Sequence, residues 1–391
     1  MAHRSNLVQT PVGMLKLGMY VAEVDRPWLE TPFATQGFLV SSEAEIDFIA
    51  ENCQFVFIDP KLTQRRSLAQ PRFPARSAMK RSALKKALVT TKQDLDKATI
   101  AMDRIFTDIR SNERTSAKEV ENAVRPLVES VIKQQEALTA LMRMRAKSDY
   151  LINHAMGTTI WATLLGRHMG YDHAELLILA MGATLADAGM ANLPSKLLNK
   201  PEELSSEEYK LLKSHVRGSS RLAQESGIDD HRIIEIIECH HERHSGAGYP
   251  QHLAHQEIPI NARIVAIADT YDAMTSTQPY ANALTSFDAI SQLNRNKDIL
   301  FQSHLVDAFT QIIGIFPTGS LVELSTGEVG IVTAQNRHRR LQPEVMIILD
   351  KSKKPYPSYI SANLVAASCE ISITRELPTG AHGIGAENYF L

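Results

Sequence analysis

The stretch CHHERHSGAGYP, Cys239 to Pro250, constrains this chain more than any other. Two adjacent histidines close an apolar-periodic segment, an acid and an arginine follow, and a glycine-rich turn then leads into a Tyr-Pro pair. Side chains at neighbouring helical positions diverge by about 100°, so His240 and His241 can reach two different ions from one helix end. A lone histidine on a helix is more often a hydrogen-bonded or surface residue than a ligand. What this cluster does therefore depends on the donors that the rest of the fold brings to it.

Those donors are spread through residues 148–312, where apolar repeats at helical spacing are separated by loops such as GMANLPSK and LNKPEELSSEE. His154, Asp187, His215, His240, His241 and Asp269 lie where these helices begin or end. Imidazole and carboxylate together suit Fe, Mn, Zn or Ni, with one or two ions expected. A carboxylate shared by two ions would let both act on one water or phosphate oxygen, which is the chemistry of phosphodiester hydrolysis.

The remainder of the chain divides by composition. Residues 1–60 carry short apolar segments broken by Gly13, Gly18, Pro27 and Gly37, and read as a small α+β module with a short helix near 43–52. In it, Trp28 and Phe33 serve either the module's own core or a partner. Residues 61–90 form a basic linker: between Lys61 and Lys86 there are nine Lys or Arg residues and no acid. A helical connector over 91–147 follows. Leu95, Ala98, Met102, Ile105, Phe106 and Ile109 share one face of it, and a second stripe of Val120, Val124, Leu127, Val131, Leu138 and Leu141 reads as one long helix kinked at Pro126. Its heptad-like spacing suits either a homodimer or packing within its own domain. Beyond 312 the period changes to that of strands, giving a β-rich extension over 313–372 with Gly319, Gly327 and Gly330 at turns, and a tail over 373–391 expected to be disordered.

Composition narrows the class further. A chain of 391 residues is long enough for two or three domains. The net charge of −2 gives no bulk attraction to nucleic acid, and the basic run lacks interleaved stacking aromatics. Three scattered cysteines, Cys53, Cys239 and Cys369, suggest neither a disulfide framework nor a thiolate site, so a reducing cytoplasm is expected. The apolar run Leu176 to Ala186 is too short for a membrane span.

Read as whole words, NHAMGTTIWA, LADAGM, LNKPEELSSEEYKLLKSHVRGSSRL, IIECHHERHSGAGYP and IPINARIVAIADTYDAMTSTQPY resemble the HD-GYP family of bacterial cyclic-di-GMP phosphodiesterases. GMYV, DRPWLETPF and QGF resemble the small domain that often precedes it, and PTGSLVELSTGEVGIV its β-rich appendage. The resemblance implies a mainly α protein built on a helical HD-superfamily domain. It implies that His154, Asp187, His215, His240, His241 and Asp269 are metal ligands, with Asp187 as the catalytic bridge. It also implies that Gly248, Tyr249 and Pro250 shape the site beside the substrate, with a positive backbone angle expected at the glycine. Cyclic-di-GMP or a related nucleotide, and a signalling protein docked on the GYP surface, are the implied partners.

The chain departs from the family pattern at five places. The His of the His-Asp pair is Ala186, the lysine after it is Met190, the acid of the turn is Ser245, and two basic substrate contacts fall on Gln278 and Ala281. The losses point to a degenerate protein retained as a scaffold or receptor. The alternative is a weak or altered metal-dependent phosphodiesterase.

Overall fold

Most of the segments with an apolar repeat at helical spacing form helices, and the computed structural model is mainly helical. It describes residues 7–385 apart from 17–18, 26–37, 41–45, 48, 51–52, 61–77, 144–148, 279–281, 337–338 and 366–370. Trp28, Phe33, Ala281, Cys369 and much of the basic run therefore lie outside the described residues. The chain divides into two units, one of residues 1–76 with 320–377 and one of residues 77–319 with 378–391.

The first unit holds two antiparallel sheets. β1 (Val8–Pro11), β2 (Tyr20–Val24), β3 (Phe38–Leu39) and β4 (Phe55–Ile58) are ordered β1-β4-β2-β3. Val21, Val24, Val40, Ile49, Val56 and Ile58 close a small core on this sheet. The second sheet comprises β5 (Leu321–Leu324), β6 (Val329–Ala334), β7 (Glu344–Leu349), β8 (Pro355–Asn363) and β9 (Ile373–Leu377), ordered β8-β7-β6-β5-β9. Two expectations are corrected here. Gly330 lies inside β6 rather than at a turn, and glycine suits it there because a Cβ would sit 2.4 Å from Val345 Cγ1 on the neighbouring strand. Part of the supposedly disordered tail is β9, which pairs along β5 with Leu377 opposite Leu321 and buries Ile373 and Leu377.

The second unit is helical. It runs through α1 (Ala78–Arg110), α2 (Ala117–Lys133), α3 (Gln135–Arg143), α4 (Tyr150–His168), α5 (His173–Leu185), α6 (Ser195–Leu198), α7 (Ser206–Lys213), α8 (His215–Glu225), α9 (His231–Cys239), α10 (Ile260–Thr275), α11 (Ser286–Arg295) and α12 (Ser303–Ile313). α1 begins inside the stretch read as linker. The second apolar stripe is divided between two helices: the break falls at Gln134 (φ −139, ψ 42), while Pro126 is accommodated inside α2. Val120, Val124, Leu127, Val131 and Leu138 are fully buried and Leu141 nearly so, which commits the stripe to the core of the chain itself.

α4, α5 and α10 form the centre of this unit. Every residue of α4 from His154 to Gly166 is buried, and α4 packs on both α5 and α10. By length and composition the segment His173–Asn192 could cross a membrane, but 72% of it is buried inside the protein. Within it the Asp187 carboxylate faces three imidazoles, and the apolar length is that of a core helix. Through these central helices the fold holds polar donors in an otherwise apolar interior.

Candidate metal centre

Each donor is delivered by the end or the buried face of a helix. His154 projects from α4, one turn beyond the Asp149 cap whose side chain accepts from the amide of Leu151 at 2.9 Å. Asp187 stands between α5 and a short 3-10 turn, Ala188–Asn192, in the sparsely populated bridge region (φ −103, ψ 8). Gly189 lets that turn press onto α8: its amide donates to Ser219 Oγ at 2.8 Å, and a Cβ there would lie 2.3 Å from the His215 carbonyl. His215 opens α8, His240 and His241 follow α9, and Asp269 projects from α10.

The six donors meet in two groups that share one residue. Asp187, His215, His240 and His241 offer ligand atoms within 4.8 Å of one another, as do His154, Asp187 and Asp269. Asp187 is the residue common to both groups. His215 Nε2 lies 3.1 Å and His240 Nε2 3.6 Å from Asp187 Oδ1, yet neither forms a hydrogen bond to it. The opposite ring nitrogens explain why. His215 Nδ1 meets the Leu212 carbonyl at 2.7 Å and His240 Nδ1 the Ile237 carbonyl at 2.8 Å. A carbonyl only accepts, so each Nδ1 carries a proton, and when the ring is neutral, as a metal ligand must be, its Nε2 points a lone pair at the carboxylate. His241 Nε2 is likewise buried without a partner. Four acceptor atoms buried against one another are costly unless a cation lies among them, so these residues fit a divalent ion.

The second group is anchored differently. His154 Nε2 lies 2.9 Å from Asp269 Oδ1 and 3.3 Å from Asp187 Oδ2, while its Nδ1 lies 2.9 Å from Asp272 Oδ2. The other oxygen of Asp272 accepts from Trp161 Nε1 at 3.1 Å. Asp272 has room only because residue 157 is glycine, where a Cβ would fall 1.8 Å from Asp272 Oδ1. Asp272 and Gly157 were missed by the sequence reading, although Asp269 and Asp272 are one helical turn apart and so share a face. Burial pulls the His154 imidazole down, but Tyr150 and the carboxylates of Asp187, Asp269 and Asp272 outweigh it and hold the ring well above the ordinary histidine range. Burial pushes Asp187 up, and the imidazoles of His154, His215 and His240 reverse this, leaving it well below the usual carboxylate range. Burial and the neighbouring His240 hold His241 well below its ordinary value, neutral and fit to ligate.

The Gly-Tyr-Pro turn closes one side. A Cβ at Gly248 would lie 2.4 Å from Glu242 Cα and Arg243 N, so glycine is required there by close approach. This corrects the expected positive angle, which belongs instead to Gly246 (φ 80). The Tyr249 amide donates to the His241 carbonyl at 3.2 Å, and the Tyr249 ring lies 4.7 Å from the His241 ring. Lys213, also missed in the sequence, sets its ammonium 4.8 Å from the centre of that ring. Of the departures, Ala186 is buried in ordinary helical geometry (φ −51, ψ −45), and Met190 is half-buried. Ser245 is exposed, and Gln278 Nε2 donates to the Ala273 carbonyl at 2.8 Å within its own turn.

Comparison with known proteins agrees with this geometry. Residues 124–304 match the HD domain, and residues 7–143 match a domain of unknown function, DUF3391. Over 366 residues the chain is 27% identical to the cyclic di-GMP phosphodiesterase PA4108 of Pseudomonas aeruginosa, covering 90% of this chain and 88% of that protein. An HD domain whose paired histidines run into an intact Gly-Tyr-Pro turn decides the assignment. Residues 124–304 are an HD domain, and the chain is similar to HD-GYP phosphodiesterases. Two further relatives are matched over less than half of this chain. The cyclic di-GMP phosphodiesterase response regulator RpfG of Xanthomonas campestris is 36% identical over 170 residues, 41% of this chain and 44% of that protein. The 3'3'-cGAMP-specific phosphodiesterase 2 of Vibrio cholerae is 28% identical over 165 residues, 42% of this chain and 32% of that protein. HD-domain phosphodiesterases use divalent metals, in keeping with the two donor groups described above.

Proposed function

We propose that this chain is a cyclic di-GMP-binding signalling protein whose phosphodiesterase centre is impaired. The observation that carries the reading is the inequality of the two donor groups: four ligand atoms surround one position and three the other, with the buried methyl of Ala186 where the family supplies an imidazole. A bound divalent ion would polarise a phosphate oxygen and acidify a water. His215, His240, His241 and Asp187 would hold one ion; His154, Asp187 and Asp269 would hold a second more weakly. Asp272 fixes the His154 ring, and the Tyr249 turn walls the side where substrate would enter. Loss of the positive charge at Met190 lowers attraction for a dianionic dinucleotide. Slow turnover with retained binding is the expected outcome, and the bound state is then the signal passed to a protein docked on the Gly-Tyr-Pro surface.

Calorimetric titration with cyclic di-GMP, run alongside a Mn2+ hydrolysis assay, tests this. Binding with turnover only slightly above that of Asp187→Ala is expected. Turnover that Ala186→His with Met190→Lys fails to raise would place the deficit elsewhere. A second reading, a fully active phosphodiesterase, is favoured by the three buried imidazole nitrogens still poised for an ion. Vigorous hydrolysis by the unaltered chain would establish it. A panel including 3'3'-cGAMP separates the two known substrate classes of the relatives.

A further inference from the structure

Five of the six metal-ligand candidates, His154, Asp187, His215, His240 and Asp269, are buried. His241 and Tyr249 are partly exposed, so the centre opens to solvent on their side. Two cations lie near this opening: Arg243, which donates to the His240 and Glu242 carbonyls at 3.0 Å, and Lys213. Lys213 ends α7, two residues before His215, and its ammonium lies 4.5 Å from the centre of the Tyr209 ring and 4.8 Å from that of Tyr249. The Tyr249 ring in turn rests 4.7 Å from the His241 ring. The lysine is thus coupled by a single aromatic ring to a metal-ligand candidate.

What distinguishes this lysine is how it is held. Lys200, which precedes α7, is paired with Glu208 at 2.6 Å, and Lys210, on α7 itself, is exposed. Among the described residues no carboxylate lies within salt-bridge distance of Lys213. Two aromatic faces position an ammonium without neutralising it and leave N–H donors for an anion. A carboxylate partner would instead have competed with phosphate for the same charge.

We infer that Lys213 is a phosphate-binding residue at the mouth of the centre, supplying to an incoming phosphodiester a positive charge that Met190 does not. The identity of the phosphodiester as a cyclic dinucleotide rests on the function proposed above; the anion contact does not. Tyr249 then has two tasks, walling the His241 side and aiming the ammonium.

The test uses the full chain loaded with Mn2+ and two probes, cyclic di-GMP and inorganic phosphate, titrated calorimetrically with metal content measured on every sample. Lys213→Met is expected to weaken both probes by roughly tenfold or more, as for loss of one charge-assisted contact, with metal content unchanged. Lys213→Arg is expected to stay within a few-fold of the unaltered chain. The inference is overturned if Lys213→Met binds both probes as the unaltered chain does, or if its weakened binding is accompanied by loss of metal, which marks a structural role. Cyclic di-GMP bound equally by both chains sinks the lysine assignment and leaves the nucleotide reading standing. Lys213-dependent phosphate binding without cyclic di-GMP binding does the reverse. Failure of the unaltered chain to bind either probe ends both.

Discussion

At the scale of single residues, the centre depends on groups that fix the ligands as much as on the ligands. His215 and His240 have their tautomers set by carbonyls three residues back in the chain, whereas His154 depends on a side chain from another helix, Asp272. Asp272→Asn is therefore expected to weaken the ion held by His154, Asp187 and Asp269 by about 10–100-fold while sparing the ion in the three-histidine group. Metal titration followed by competition with a chelator measures both. Gly157→Ala should give a similar defect, since its methyl must displace the same carboxylate. Gly248→Ala forces a methyl against backbone and should cost roughly 1–3 kcal/mol in chemical denaturation. The six donors that the fold brings together were legible in the sequence because imidazole and carboxylate in that order form recognisable words. Asp272, Gly157 and Lys213 were not, because what selects them is a contact between helices far apart in the chain. The reason for Gly248 was misread too: its close approach to the backbone of Glu242 and Arg243 depends on how the turn folds back on itself, which residue types alone do not show.

Elements were legible where one face is apolar and the other wet. The stripes of α1 and α2 alternate at helical spacing and are buried as that spacing demands. Their boundaries were less visible. Pro126 is tolerated within α2 and the chain breaks at Gln134, where no proline or glycine announces it. In the second sheet, β6 and β7 are buried on both faces along most of their length, so the two-residue alternation expected of a half-wet strand fades. Packing, rather than dimer formation, is what the second stripe serves here. Leu127→Ala, which empties a fully buried site on α2, is expected to cost about 2–5 kcal/mol, read from urea unfolding. The capping box of Ser116 and Glu119 at the start of the same helix predicts a smaller loss for Ser116→Ala, about 1 kcal/mol by the same measurement.

For the whole molecule, the helical unit was readable as one continuous resemblance, while the grouping of residues 1–76 with 320–377 was not, because contacts between distant segments carry no local pattern. A metal bound only by the folded helical unit must stabilise it. Removing metal with a chelator should lower the melting temperature of that unit, and returning Mn2+ should restore it; calorimetric scans check this. The central claim is that the centre is lopsided, complete around His215, His240, His241 and Asp187 and short of one donor around His154 and Asp269. The most direct test is metal stoichiometry by elemental analysis of the purified full chain and of Ala186→His, whose backbone already has helical angles suited to any residue. The account predicts about one tightly held ion per unaltered chain and about two after Ala186→His. Two tightly held ions in the unaltered chain, or no gain on restoring the histidine, would contradict it.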